Sequence, residues 1–155
     1  LANPILAIVA GLTILTTAII AFMMAEDDET KSLKENIAER ERAIETMDRE
    51  NAVVNKGMKT RIELLRARGA TEQQIFAEEQ KMNAARIEQL NSQNDKVRQN
   101  LNDLRKLRED ADGDELKELN MIIDNNYWYE QVIVSYYIAT TLTDITNAQY
   151  NYWLK

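Results

Sequence analysis

The first pattern along the chain is an unbroken run of apolar and small residues. Residues 5–25 contain no charge, and Asn3 and Pro4, which precede them, suit the N-cap and the first position of a helix. As a helix the run would be about 31 Å long, roughly the thickness of a bilayer hydrocarbon core. The pattern therefore predicts a membrane-competent helix over residues 1–25. A buried helix of an assembly and a secretory signal peptide are the alternatives.

Small residues recur within this apolar run. Ala7 and Gly11 are four positions apart, a spacing that lets two helix backbones approach closely. We interpret the spacing as a contact between several copies of the helix, the alternative being chance in an alanine-rich segment. The residues assigned to membrane insertion and helix association are Pro4, Ala7, Gly11, Ala18 and Ala21.

Residues 26–110 are polar, with regularly spaced apolar positions. Between residues 30 and 68 the apolar positions recur at steps of three, four and seven, which predicts one long helix with an imperfect heptad stripe. A second helix follows, in which two rows spaced by seven predict coiled-coil packing. The predicted coiled-coil core consists of Phe76, Ile87, Leu90, Val97, Leu101 and Leu104.

Asn83 and Asn94 fall in the same two rows of the second helix. A buried Asn fixes the register of a coiled coil at some cost in stability, so one interpretation gives both residues this role. The other interpretation is that a hydrated seam merely tolerates them. The residue pattern favours neither.

A short segment between the two helices carries stop and restart signals. Two arginines precede Gly69, which suits the left-handed residue just past a helix end. Thr71 followed by Gln74 forms a capping box that begins the next helix. The sequence therefore predicts a turn near residues 68–71 and an antiparallel helical hairpin. The alternative is a single extended rod.

An acidic stretch follows the predicted hairpin. Asp110, Asp112 and Asp114 alternate as calcium ligands do in an EF-hand. The sixth and twelfth positions counted from Asp110 hold Glu and Met, however, where an EF-hand requires Gly and Glu. The pattern therefore predicts a turn at residues 111–113, with Asp114 as the N-cap of the next helix.

Residues 111–155 form a third, aromatic-rich segment. Eight of the ten aromatic residues lie between Tyr127 and Trp153, and the apolar spacing favours a helix, although the β-branched residues at 131–143 would also suit a strand. We interpret the aromatic residues as contacts to a partner protein, with a membrane–water interface as the alternative. The residues assigned to partner contact are Tyr127, Trp128, Tyr129, Tyr136, Tyr137, Tyr152 and Trp153.

Composition excludes several classes of function. The 155 residues include 26 Asp and Glu against 19 Lys and Arg, for a net charge of −7, and no stretch is strongly basic. We therefore expect no sequence-specific nucleic-acid binding. The chain has no His and no Cys, which removes the usual zinc ligands and the commonest general base. We expect an all-α protein that is no enzyme and has no cofactor, metal or catalytic residue.

The start of the chain resembles the tape measure proteins of long-tailed, siphovirus-like bacteriophages. Many members open an Ala-, Ile- and Val-rich segment with Ala-Asn-Pro-Ile, matched here by residues 2–5 and by Ala-Ile-Val-Ala-Gly at residues 7–11. The family usually has Gly where this chain has Leu6, and often Trp near the end of the segment, where Phe22 is the nearest aromatic. The resemblance covers about 25 residues, and we expect a fragment of a longer protein.

The resemblance implies a structural function. Tape measure proteins are mostly helical, lie in the lumen of the growing tail, set its length and leave it when DNA is ejected. The resemblance further implies self-association, contacts with tail tube and tail-tip proteins, and insertion of the apolar segment into the host cell membrane on infection. The alternative that the residue pattern allows is a membrane-anchored coiled-coil adaptor or scaffold of a bacterial envelope.

Overall fold

The computed structural model describes Phe22, Ala25 and residues 32–154. These residues are almost all helical and include no strand, so the predicted all-α class is confirmed for this part of the chain. The strand alternative for residues 131–143 is wrong, because all of them are helical. The residues assigned to membrane insertion lie outside the described part: Pro4, Ala7, Gly11, Ala18 and Ala21.

Three helical layers follow one another along the chain. Helix α1 is Leu33–Ala67 and helix α2 is Glu72–Glu109. The third layer is a continuous run of helix α3 (Gly113–Val132), a π-helical segment (Ile133–Ile138) and helix α4 (Ala139–Leu154). Helix α2 packs against α1 on one side and against the whole third layer on the other, so α2 is the central helix of the bundle.

The first reversal of the chain carries the caps that the sequence indicates. The capping box is present: the Thr71 hydroxyl accepts a hydrogen bond from the Gln74 main-chain N–H at 3.1 Å, and Gln74 Oε1 accepts one from the Thr71 N–H at 2.9 Å. Gly69 has a φ of +80°, the left-handed conformation in which a side chain is strained. The chain therefore leaves α1 and enters α2 within four residues.

The second reversal differs from the prediction in its cap. Helix α3 begins at Gly113, with Asp112 as its N-cap. Asp114, predicted as the N-cap, lies in the first turn, where its carboxylate still faces the positive end of the helix dipole. The prediction was wrong because Gly113, with a φ of +56°, accommodates the change of direction itself.

Helices α1 and α2 are antiparallel along their whole length. Near the start of α1, Arg40 pairs with Asp103 at 2.6 Å. Near its end, Arg61 lies 3.7 Å from Glu78. These two ion pairs join opposite ends of both helices, so the chain forms a hairpin and the single extended rod is excluded for α1 and α2.

The third layer runs antiparallel to α2 in the same way. Arg98 of α2 pairs with Glu130 of α3 at 2.7 Å. At the other end, the rings of Phe76 and Tyr152 are stacked with their centroids 4.3 Å apart. The bundle therefore has an up-down-up order, with its two described chain ends at opposite ends.

The hydrophobic core lies along α2. Of the predicted coiled-coil residues, Phe76 and Ile87 are half-buried, and the following are buried: Leu90, Val97, Leu101 and Leu104. Phe22 belongs to the same core, and its ring centroid lies 5.8 Å from the charged groups of Arg40 and Lys96. Because α2 is covered from two sides, it buries a wider face than a two-helix seam requires.

The third layer contains one residue more than a regular heptad spacing allows. Leu119, Asn126 and Ile133 are buried at intervals of seven, and so are Thr141 and Ala148, but eight residues separate Ile133 from Thr141. A π-helical turn contains about one residue more than an α-helical turn. The π-helical segment therefore absorbs the extra residue and keeps both halves of the layer facing α2.

Candidate functional site

The interior of the bundle contains a row of polar side chains that the sequence analysis missed. Arg86, Gln93 and Asn100 lie on α2 at intervals of seven, and each is completely buried. The seven-residue spacing was visible in the sequence, but amide and charged side chains are usually exposed, so the row gave no clear signal of burial. A second helix packing on α2 is what removes these residues from water.

Arg86 is bound by amide groups of α1. Its Nε donates to Asn55 Oδ1 at 3.1 Å, its Nη1 donates to Asn51 Oδ1 at 3.0 Å, and its Nη2 donates to the Asn51 main-chain oxygen at 3.1 Å. Within the described residues no carboxylate forms a salt bridge with Arg86. Burial lowers the pKa of Arg86 to about 10, because the charged form loses its hydration.

Asn51 connects two members of the polar row. Besides accepting from Arg86, its Nδ2 donates to Gln93 Oε1 at 2.9 Å, and its side chain is almost completely buried. One residue of α1, Asn51, is thereby hydrogen-bonded to two residues of α2, Arg86 and Gln93, that lie seven positions apart. A shift of α1 by one helical turn would break these bonds and leave buried donors without acceptors, so the network fixes the register of the hairpin.

A second polar network joins all three layers. Asn100 Nδ2 donates to Glu41 Oε1 of α1 at 2.6 Å and to Asn126 Oδ1 of α3 at 3.0 Å. Asn126 Nδ2 donates to the same Glu41 oxygen. Burial raises the pKa of Glu41, and the two amide donors oppose that shift in part. This network fixes the position of α3 relative to both other helices.

The two asparagines singled out in the sequence are buried, as expected for a seam position. The Oδ1 atom of Asn94 has no hydrogen-bond partner in the described part of the chain. Its neighbour Gln93, one position away, supplies the contact that ties α2 to Asn51. Gln93 therefore contributes to fixing the register, whereas for Asn83 and Asn94 the two interpretations remain open.

In the part of the chain that the structure describes, no group of three or more Asp and Glu side chains is placed to hold a metal ion. No helix of that part is both long and apolar enough to cross a bilayer. The predicted membrane-competent segment lies outside it, apart from Phe22 and Ala25, which are helical and buried.

The exposed hydrophobic side chains are concentrated on the third layer. Val53 is the one large exposed hydrophobic residue of the described chain that lies elsewhere. The exposed hydrophobic residues of the third layer are Met121, Tyr127, Trp128, Val134, Tyr136, Leu142, Tyr150, Trp153 and Leu154. Trp128 is 66% exposed and Trp153 is 81% exposed, which is unusual for the largest apolar side chain.

The residues assigned to partner contact divide between surface and interior. The exposed ones are Tyr127, Trp128, Tyr136 and Trp153, and the half-buried ones are Tyr129 and Tyr152. Tyr152 stacks on Phe76 of α2. The assignment of Tyr137 was wrong, because Tyr137 is buried with its ring 5.7 Å from the Arg86 guanidinium carbon. Because Tyr136 and Tyr137 are adjacent in a helix, they point in different directions.

A cavity of about 900 Å³ lies at the hairpin end of the bundle, between the end of α1, the start of α2 and α4. Burial raises the pKa of Glu79 in its wall; Arg66 opposes this shift, and Asp144 adds to it. Acidic and basic side chains both line the cavity: Lys56, Lys59, Glu63, Arg66, Glu72, Glu79 and Asp144. The cavity therefore selects neither anions nor cations.

Comparisons of the chain with protein-family models, with curated proteins and with solved structures find no match. The function proposed below is therefore based on the geometry of the bundle and on the residue pattern of the sequence.

Proposed function

We propose that this chain is a structural segment of a phage tail tape measure protein, which sets tail length inside the tail lumen and helps DNA ejection through the host membrane. The observation that carries the proposal is the uncharged run of residues 5–25, opened by Ala-Asn-Pro-Ile and followed by long polar helices. A length standard requires a repeat of constant rise, which an α-helix supplies. The segment would act without catalysis or a cofactor.

The surface of the bundle supports a role in a crowded tube. Apolar side chains are exposed mainly on one layer, while most other surface positions are polar. The exposed aromatic residues of the third layer would contact other copies, the tail tube or tail-tip proteins, since such residues favour protein contacts. The location proposed is the virion tail, and the host cell membrane during infection.

The net charge of −7 is compatible with DNA passage. DNA phosphates bind proteins by exchanging counterions for Lys and Arg, and this chain has more acidic than basic residues. A segment of this composition would release DNA instead of retaining it. The expected contact with DNA is therefore transient and independent of base sequence.

Deletion in the parent protein tests the proposal. Removing fourteen residues, seven from α1 and seven from α2 at the same level of the hairpin, should shorten the tail in electron micrographs by about 21 Å where the helices lie end to end, and by about 10 Å where they stay folded as a hairpin. A matched control replaces the same fourteen residues by other helix-forming residues and should leave tail length unchanged. Tails of normal length after the deletion would refute the ruler function.

A membrane-anchored adaptor of a bacterial envelope is the second candidate. The observation that favours it is the folding of three layers onto one another, because a bundle spans far less distance than its helices laid end to end. An adaptor should hold a fluorescent protein, fused after residue 155, on membrane vesicles. Deletion of residues 1–25 should then release the fusion, and deletions in the hairpin should not affect any tail length.

A further inference from the structure

We propose that Asp112 is a site of spontaneous covalent modification, at which the main chain rearranges from an aspartyl to an isoaspartyl linkage. The site lies at the second reversal, which joins the helical hairpin to the third layer. The inference goes beyond the proposed function and does not depend on it. Three features of the described residues carry it: the lack of a side chain at Gly113, the free amide of Gly113, and the exposure of both residues.

Gly113 is the one glycine of the chain that follows an Asp or Asn residue. The main-chain nitrogen that follows an Asp can attack the Asp side chain, and a Cβ on the following residue obstructs this approach. Gly has no Cβ, so the obstruction is missing at this position. Gly113 has a φ of +56°, and a Cβ there would meet no atom within 4 Å, so the space around its amide is open as well.

Both reacting groups are without a hydrogen-bond partner among the described residues. The Asp112 carboxylate caps no main-chain N–H of α3. The Gly113 N–H is one of the first amides of a helix, which have no acceptor within that helix, and no other described residue accepts from it. Asp112 and Gly113 are exposed, so only the hydrogen bond from the Leu116 N–H to the Asp112 main-chain oxygen opposes the rotation that ring closure requires.

The two neighbouring aspartates are internal comparisons, because they are also exposed. Ala111, which follows Asp110, has a Cβ, and its N–H donates to the Arg108 main-chain oxygen at 3.2 Å. Glu115, which follows Asp114, has a long side chain and lies in the first turn of α3. Reaction at either site would meet a side chain and would disturb local structure.

The reaction consists of the loss and the later gain of one water molecule. The Gly113 nitrogen attacks Cγ of the protonated Asp112 side chain, the amide proton and the carboxyl hydroxyl leave as water, and a cyclic succinimide forms. Water then adds to one of the two ring carbonyls. Opening at the main-chain carbonyl leaves the chain running through Cγ, with the former main-chain carbonyl as a carboxylate. The rearrangement therefore consumes no oxidant, reductant or second reactant.

The product changes the start of the third layer. The Asp112 main-chain oxygen accepts a hydrogen bond from the Leu116 N–H at 3.2 Å, which belongs to the first turn of α3. In the isoaspartyl form this oxygen belongs to a free carboxylate, and the main chain is longer by one carbon atom. We expect the third layer to be held less firmly, with a melting temperature lower by about 2–4 °C, as for the loss of one hydrogen bond.

Incubation of the full chain at physiological temperature and pH tests the inference. An isoaspartyl methyltransferase measures the amount of isoaspartate, and electron-transfer fragmentation of peptides locates it. We expect isoaspartate at Asp112 to form about tenfold or more faster than at Asp110 and Asp114. The rate should lie within about tenfold of that in the chain unfolded in guanidinium chloride, because an exposed turn opens at little cost.

Variants test whether the Asp-Gly pair is responsible. Gly113→Ala should slow the reaction severalfold, because a Cβ obstructs the nitrogen. Asp112→Glu should abolish it, since closure would need a larger ring, and this variant keeps a glycine at the φ of +56°. Asp112→Asn should lose ammonia instead of water, at a rate that rises with pH, whereas the parent rate should fall with pH as the carboxyl ionises. Asp110→Glu, the matched control, should leave the rate at Asp112 unchanged. Circular dichroism verifies that each variant is folded.

Three outcomes would overturn the inference. These are isoaspartate spread evenly over Asp110, Asp112 and Asp114, no isoaspartate at Asp112 over a period in which the unfolded chain reacts, and a rate that Gly113→Ala and Asp112→Glu leave unchanged. An unchanged melting temperature of the modified chain would refute the effect on the third layer. Tail length is independent of all these results, so the ruler function is tested separately.

Discussion

Arg86 of α2 donates hydrogen bonds to both the side-chain and the main-chain oxygen of Asn51 of α1, at 3.0 and 3.1 Å. These two hydrogen bonds to Asn51 fix the position of the Arg86 guanidinium both along the axis of α1 and around that axis. The partners are neutral amides, so the bundle holds a buried cation without a salt bridge among the described residues. Such a group is stable only while its acceptors remain in place.

Replacing Asn51 by Leu should destabilise the bundle by about 3 kcal/mol, because it removes one of the two side-chain acceptors of the buried Arg86, leaves Asn55 as the other, and removes the donor to Gln93. The double change Asn51→Leu with Arg86→Met should recover much of that loss. Urea denaturation followed by circular dichroism measures both. Asn102→Leu, an exposed position on α2, is the control and should change stability little. Strictly additive losses would contradict a coupled pair.

Stability should fall as the pH rises past the ordinary pKa of Glu41, which is 4.5. Burial raises this pKa, so the folded state binds the proton more tightly than the unfolded state. The resulting stabilisation is fully present below pH 4.5 and is lost as the pH rises through the raised value.

The variant Glu41→Gln isolates this effect. Both amide donors bind the same oxygen of Glu41, so a Gln carbonyl can accept both bonds without a buried charge. We expect the variant to be more stable than the parent at pH 7 and equal to it near pH 4, in melting curves. Glu88→Gln, at an exposed position of α2, should show no such difference. A variant that is weaker at pH 7 would show that the carboxylate is needed as an anion.

Gly69→Ala should reduce stability by about 1 kcal/mol, because an L side chain is strained at a φ of +80°. A Cβ at this position would meet no atom within 4 Å, so the cost is one of backbone conformation alone. Gly69→Asn should reduce stability less than Gly69→Ala does, since Asn tolerates the left-handed region. Thermal denaturation compares the two, and equal losses would indicate that strain is not the cause.

Deleting Ala139, an exposed residue at the end of the π-helical segment, should be tolerated within about 1 kcal/mol. The deletion restores an interval of seven between Ile133 and Thr141, so the third layer can become a regular α-helix. Deleting the exposed Asn125 in α3 should instead cost several kcal/mol, because it displaces Leu119 relative to Asn126 and Ile133. Similar losses for the two deletions would argue against a register role for the π-helical segment.

The hairpin was largely predictable because its signals are local. A capping box requires only Thr71 and Gln74. The left-handed residue that follows the end of α1 requires only Gly69. The apolar positions at Leu90, Val97 and Leu104 also follow from spacing along one helix. Each of these inferences uses residues that are neighbours in sequence.

The polar interior was not predictable in the same way. Whether Arg86 or Gln93 is buried depends on the third layer, which comes from a distant part of the chain. Likewise, which of the adjacent residues Tyr136 and Tyr137 is buried depends on how the π-helical segment packs on α2. A polar residue at a heptad position is consistent with both a surface and an interior, and tertiary packing decides between them.

The two reversals at Gly69 and Gly113 also set how far the molecule can lengthen. The three layers are about 52, 57 and 63 Å long at 1.5 Å per residue, so the folded bundle spans about 60 Å. Pulled taut from both ends, the same helices would reach about 170 Å with every bond inside each helix intact. A nearly threefold change in the end-to-end length of the molecule would then depend on two glycine hinges and on the polar contacts between the layers.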